Sequence, residues 1–268
     1  MRVHVGCEFV QTAPLAVHAV IQVEPRNDID EKVVSESWDE QTTALSTVYS
    51  DLFDNRCRRL TFPAGTSILR YDAEVEVARV HDDADLEAPE VPASGLPSDA
   101  LVYAMPSRFC PSDELATFAF EMFGNLTPGW TRVQTICNWV HDNIEFGYPH
   151  THPTKTAINV LQTRQGVCRD FAHLAITFCR SLNIPARYVF GYLPDIDCPP
   201  NHEAMDFCAW MEVYLGDRWW TFDPRNNARR MGRVLIGRGR DALDVAMVTS
   251  FGALQLESMT VWADEIMT

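Results

Sequence analysis

Gly166-Val167 marks a turn that delivers Cys168 to the start of an apolar helix. Phe171, Leu174, Ala175, Phe178 and Leu182 follow at helical spacing. A thiol at a helix N-terminus sits at the positive end of the helix dipole, which favours thiolate. Thiolate is the nucleophile of cysteine catalysis. The local pattern fits a buried structural cysteine equally well, because free cysteine is commonly buried.

Downstream stand two paired strand candidates. The first is Asp206-Phe207-Cys208-Ala209-Trp210-Met211-Glu212-Val213-Tyr214; the second is Trp219-Trp220-Thr221-Phe222-Asp223-Pro224. Gly216-Asp217 joins them as a tight hairpin turn. Asp223, just before Pro224, fits a turn residue at the strand end.

The remaining cysteines, Cys7, Cys57, Cys110, Cys137, Cys179 and Cys198, form no CxxC pair with each other or with Cys168 and Cys208, which disfavours a zinc ribbon or thioredoxin-like site. Cys137 and Cys179 fall within helical apolar patterns and read as core. His150 and His152 flank a loop and lack the carboxylate or thiol spacing of a metal site. No cofactor and no metal is expected.

The elements that position these residues fall into two parts. Strand signals run over 3–10, 15–23, 60–62, 67–71 and 73–80, which suggests an antiparallel sandwich or sheet. Residues 81–100 are acidic and carry Pro89, Pro92, Gly95 and Pro97, as a linker or long loop does. Pro111-Ser112-Asp113-Glu114 reads as a helix start with Ser112 as N-cap. A second helix begins near Thr131, with Val133, Ile136, Trp139, Val140 and Ile144 at helical spacing. A short helix over 157–162 leads to the Gly166 turn. The helix from Cys168 stops before Asn183 and Pro185. Strands are expected over 186–193, 207–215, 218–223 and 254–263. The reading is α+β: an N-terminal β-rich domain over 1–105, then helices and an antiparallel sheet over 106–268.

The 268 residues carry 37 acidic against 22 basic side chains, a net charge of −15. That argues against nucleic acid or an anionic membrane as partner, since both call for basic surface. No run approaches the roughly 18 apolar residues that span a bilayer. The segment Met1-Arg2-Val3-His4-Val5-Gly6 reads as a strand rather than a secretory signal, so a cytoplasmic location is expected.

In this order the motifs resemble the transglutaminase-like superfamily of papain-like thiol enzymes. The likeness is greatest to the bacterial transglutaminase-like group described as cysteine proteases. The residues that carry it are 166–174 around Cys168, Ile184-Pro185-Ala186-Arg187-Tyr188-Val189 with Gly191-Tyr192, Ala209-Trp210 with Glu212, and Trp220-Thr221-Phe222-Asp223. The resemblance implies a papain-like core, Cys168 as nucleophile, Asp223 as third member, and a peptide or amide substrate. It also implies an acyl-enzyme, with water a likelier acceptor than an amine.

Family members with a complete triad place histidine just before the Ala-Trp pair. This chain has Cys208 there. A neutral cysteine is a weak donor, and an ionised one repels the Cys168 thiolate. Four readings follow. Another histidine serves, His202 from its Pro-rich loop or His173. The protein is a non-catalytic relative that binds peptide in the cleft. Cys168 and Cys208 form a redox or metal-binding thiol pair. Or Cys208 is an introduced substitution. His173 lies five helical residues after Cys168, about 140° round the helix, and reads as core.

Trp210, Trp219 and Trp220 read as sheet-face packing or, less readily, as cleft walls. Arg225, Arg229, Arg230, Arg233, Arg238 and Arg240 form a basic concentration in an acidic chain. They pair with the protein's own carboxylates or bind one on a substrate. Arg169 and Asp170 suit an internal ion pair.

Overall fold

A computed structural model describes residues 1–26, 31–39, 44–199 and 204–267. The first part supplies β1 (Arg2–Ala13), β2 (Val17–Ile21), β3 (Glu31–Asp39), β4 (Ala44–Ser50), β5 (Arg56–Phe62) and β6 (Gly65–Val77). Along β6, buried Ser67, Leu69, Tyr71, Ala73, Val75 and Val77 alternate with more exposed residues. That is the period-two pattern of a strand with one face in a core. The expected strands over 67–71 and 73–80 are thus one continuous β6. β3 and β4 carry no such alternation and sit at sheet edges.

The second part holds α1 (Ala116–Phe123), α2 (Trp130–Asn143), β7 (Glu145–Phe146), α3 (Ala157–Thr163), β8 (Gln165–Gly166) and α4 (Cys168–Ser181). Strands β9 (Ala186–Tyr192), β10 (Cys208–Leu215), β11 (Arg218–Phe222), β12 (Val234–Gly239), β13 (Val248–Ser250) and β14 (Gln255–Glu265) complete it. The sheets run in the orders β14-β1-β6-β3, β13-β2-β5-β4 and β11-β10-β9-β12, with β7-β8 as a short parallel pair. The chain end therefore returns to the first sheets, with Cys7 of β1 opposite Val261 of β14. The architecture is α+β.

α4 is the hub of the second part. Every residue from Asp170 to Ser181 is buried, so the helix is enclosed on all sides rather than on one apolar stripe. Arg180 is tolerated inside because its guanidinium donates to the carbonyls of Met105, Ala186 and Arg240. Ser181 Oγ donates to the Ser112 carbonyl at 2.7 Å. Residues 112–115 form a turn, with Glu114 N bonded to the Pro111 carbonyl, so α1 begins at Ala116 with Leu115 in the cap position rather than Ser112.

The 81–100 segment is a strap pinned to the second part, not a free linker. The carbonyls of Ala88 and Pro89 accept from the backbone amides of Trp130 and Gly216. Glu90 accepts from Gly129 N and from Arg132 Nη1, both at 3.0 Å. Gly129 and Gly216 both have positive φ, at 103° and 63°, so glycine suits these two junctions.

Candidate active site

Cys168 is the first residue of α4 and is half-buried. The turn before it is locked from inside the helix. Asp170 Oδ2 accepts from Val167 N at 3.1 Å, filling one of the amide groups that a helix start leaves open. A Cβ on Gly166 would meet the Asp170 side chain at 2.6 Å, so only glycine lets the carboxylate fold back. Arg169 Nε lies 3.3 Å from Asp170 Oδ1, the internal pair suggested by the sequence. Burial pushes the Asp170 carboxyl up, and Arg169 works against that.

Cys208 is the first residue of β10, paired to Gly191 of β9. α4 packs on β10, and this brings the two thiols together. The Cys168 thiol is held below the ordinary thiol range. The leading cause is the hydrogen bond donated by the Cys208 thiol; burial opposes it, and the Ala209 backbone amide assists. The same hydrogen bond, then burial, hold Cys208 well above the ordinary range. Of the two thiols Cys168, at the helix start, is therefore the more readily ionised; each also reaches a backbone carbonyl, Cys168 Sγ that of Phe207 at 3.9 Å and Cys208 Sγ that of Ala209 at 3.8 Å.

Asp223 follows β11 and is buried. Its Oδ1 accepts from Asn226 N at 2.9 Å, and its Oδ2 accepts from Asn226 Nδ2 at 2.8 Å and Arg233 Nη2 at 2.9 Å. Burial pushes this carboxyl up, but Arg233 and Asn226 prevail and hold it below the ordinary range. Arg233 also bonds both oxygens of Asp82 at 3.0 Å and lies over the Trp210 ring, 4.7 Å from its centroid. Cys208 feels the charges of both Asp223 and Arg233. Cys168 and Cys208 thus share one cavity, and Asp223 lies near enough for its charge to act on Cys208, with arginine as the carboxylate's partner.

The described candidate histidines fall elsewhere. His173 is fully buried between Phe109 and Tyr188, and its Nε2 accepts from Ala242 N at 3.1 Å. Burial holds it well below its ordinary range, so it is a neutral core imidazole. His150 and His152 lie in the loop before α3, where the His152 carbonyl accepts from Arg169 Nη2 at 2.9 Å. His202 lies outside the described residues. Among the described residues no three His, Cys, Asp or Glu side chains stand as a metal set.

The cleft at Cys168 has a cavity of about 40 Å³, lined by Phe146, Tyr148, Asp206, Phe207, Cys208 and Arg225 among others. The tryptophans do not form it. Trp219 packs under Arg187 and against Tyr103, and Trp220 packs against Trp130. A wider groove of about 580 Å³ lies behind Asp223, bounded by Trp130, Gln134 and Asn227. Sequence reasoning missed Arg233 as the Asp223 partner and Asp82 beyond it. It placed Arg233 only in a basic set, and nothing local joins it to Asp82.

Residues 116–224 match the model of the transglutaminase-like superfamily. The whole chain superposes on the crystal structure of a "Putative Cysteine Protease" from Cytophaga hutchinsonii, with TM-score 0.90 and 30% identity over 100% of this chain and 91% of that one. An uncharacterized protein of Mycobacterium leprae is 33% identical over 117 residues, 42% of each chain. One of Mycobacterium bovis is 40% identical over 101 residues, 34% of this chain and 32% of that one. The matches thus span less than half the length of these curated relatives.

Proposed function

The chain belongs to the transglutaminase-like superfamily, and on that premise we propose that it is a thiol enzyme acting on amide and peptide bonds through an acyl group on Cys168. Water is its usual acyl acceptor. The observation that carries this reading is the low-lying Cys168 thiol at the start of α4, facing a cleft.

The thiolate attacks the carbonyl carbon and the oxygen takes the electron pair. The Cys168 backbone amide, which has no partner within the helix, donates to that oxyanion. The amine leaves with the proton of the Cys208 thiol, the nearest donor. Water then attacks the thioester and gives one proton to Cys208, the acid product departs, and Cys168 leaves as thiolate, which restores the starting thiolate and thiol. Cys208 is a poor acid because its thiol is held high, and its ionised form faces Asp223. Amides are therefore turned over slowly, and activated esters, whose leaving groups need no proton, react faster.

Acetylation by p-nitrophenyl acetate tests the reading. Mass spectrometry should find one acetyl group on Cys168, absent in Cys168→Ala. An unmodified Cys168 beside acetylated lysines contradicts it.

The Cys208–Cys168 contact favours a second reading. Two thiols within hydrogen-bond reach are placed to join as a disulfide, which leaves a cleft that binds peptide without acylation. No helix in the described residues is long and apolar enough to cross a membrane. Six of the eight thiols are buried, which suits a reducing compartment, and we place the protein in the cytoplasm.

A further inference from the structure

The structure sorts the arginines of 225–240 by partner. Arg230 pairs with Asp195 at 3.0 Å, Arg233 with Asp223 at 2.9 Å, Arg238 with Glu212 at 2.8 Å and Arg240 with Asp244 at 2.9 Å. Arg225 differs. Its guanidinium has no carboxylate partner among the described residues and makes one hydrogen bond, from Nη1 to Asn226 Oδ1 at 3.3 Å.

Its position is nonetheless fixed. The Arg225 carbonyl is bonded to His141 Nδ1 at 2.8 Å, and Asp223 holds the next residue, Asn226, by both backbone and side chain. The guanidinium carbon lies 4.1 Å from the centroid of Phe146. Phe146 is itself paired to Gly166, two residues before the thiol. Arg225 therefore lines the Cys168 cavity with one face against an aromatic ring and most of its N–H donors unused. The other charges at this cavity do not quench it by contact. Asp195 is taken by Arg230; Asp206 feels the Arg225 charge but forms no ion pair with it and turns Oδ1 to its neighbour Phe207 N at 2.7 Å.

We propose that Arg225 is a substrate-binding residue that selects a carboxylate next to the amide attacked by Cys168. The preferred substrate is an acidic peptide or amide, with the carboxylate on a side chain or at the chain end. This rests on the acyl-enzyme reading for its use, but its test needs no turnover.

Site-resolved alkylation of Cys168 by iodoacetate and by iodoacetamide compares an anionic with a neutral reagent of the same size, with Cys198 as internal reference. Arg225→Gln should lower the iodoacetate rate at Cys168 roughly tenfold, as loss of a charge-assisted hydrogen bond does. The iodoacetamide rate should fall much less, because a neutral reagent makes no such bond and loses only the pull of the Arg225 charge on the Cys168 thiol. Arg225→Lys should fall between, since it keeps charge but loses the fork. An equal fall with both reagents, or no change in either, overturns the proposal. In a second arm, N-acetylglutamine and a C-terminally amidated glutamyl peptide are tested as protectors of Cys168 against iodoacetamide. Protection by one of them that is lost in Arg225→Gln names the source of the carboxylate. Protection by neither contradicts the site. If the iodoacetate preference holds while no substrate is turned over, the acyl-enzyme reading fails and the carboxylate site stands.

Discussion

Arg233 Nη2 donates to Asp223 Oδ2 at 2.9 Å, so the carboxylate expected to orient a base is already held by an arginine. The pair is nearly inaccessible to solvent, at 8% and 1% of side-chain exposure. A buried carboxylate of this kind is stable only while its partner remains.

Arg233→Met should therefore destabilise the fold by about 3–5 kcal/mol, because it strands Asp223 inside the protein. Chemical denaturation measures this. The double variant Arg233→Met, Asp223→Leu should recover part of the loss. A single variant as stable as the parent contradicts the buried pair.

Restoring the missing base tests what Cys208 costs the chemistry. Cys208→His places an imidazole on β10 beside Cys168. Amide hydrolysis should rise by a factor of roughly 10²–10⁴, the usual contribution of a positioned acid–base group. The gain should fall toward the lower end, because Asp223 is engaged by Arg233 and orients the new ring weakly. No gain, with circular dichroism unchanged, means the site has another role.

How far the sequence foretold this site depends on range. The start of α4 at Cys168 and the β10–β11 hairpin were legible because their signals are local: a glycine turn, a 3.6-residue period, and a Gly-Asp pair between strands. β3 and β4 were not, because edge strands exposed on one or both faces lack the alternation that marks β6. Nor was the pairing of β14 with β1, where Cys7 meets Val261 from the other end of the chain. The site divides the same way. Cys168, Cys208 and Asp223 stood out by motif, whereas the Arg233 bridge from Asp223 to Asp82 links turns that only the fold brings together. Arg225 was visible as one of a basic set, but nothing in the sequence set it apart from its paired neighbours.

Peroxide should join the two thiols of the site. Hydrogen peroxide takes two hydrogens from Cys168 and Cys208, leaves a disulfide and is itself reduced to water. Mass spectrometry of the digested protein should find the 168–208 peptide link, reversed by dithiothreitol and absent in Cys208→Ser. Stepwise oxidation of Cys168 to sulfinic acid without that link contradicts the contact.

Stability should fall as the solution is acidified, in two stages. Burial holds His173 well below its ordinary 6.5, so the unfolded chain binds a proton that the native protein refuses. Stability thus declines from about pH 6.5 downward. Glu212 is buried, which alone would raise it, but Arg187 and Arg238 hold it at about 2. Its contribution is present above its ordinary 4.5 and is lost as pH falls from there toward about 2. Urea midpoints between pH 8 and pH 3 measure both stages. A flat profile over that range contradicts both assignments.

Alkylation of Cys168 shows whether this thiol, rather than Cys208, is the one that ionises. The rate of iodoacetamide modification at Cys168 should be followed by mass spectrometry across pH 5–10, beside Cys198. The midpoint should lie below the ordinary thiol value of about 8.5, and Cys168 should react faster than Cys198 near neutrality. A midpoint at or above that value, with Cys168 no faster than Cys198, contradicts it.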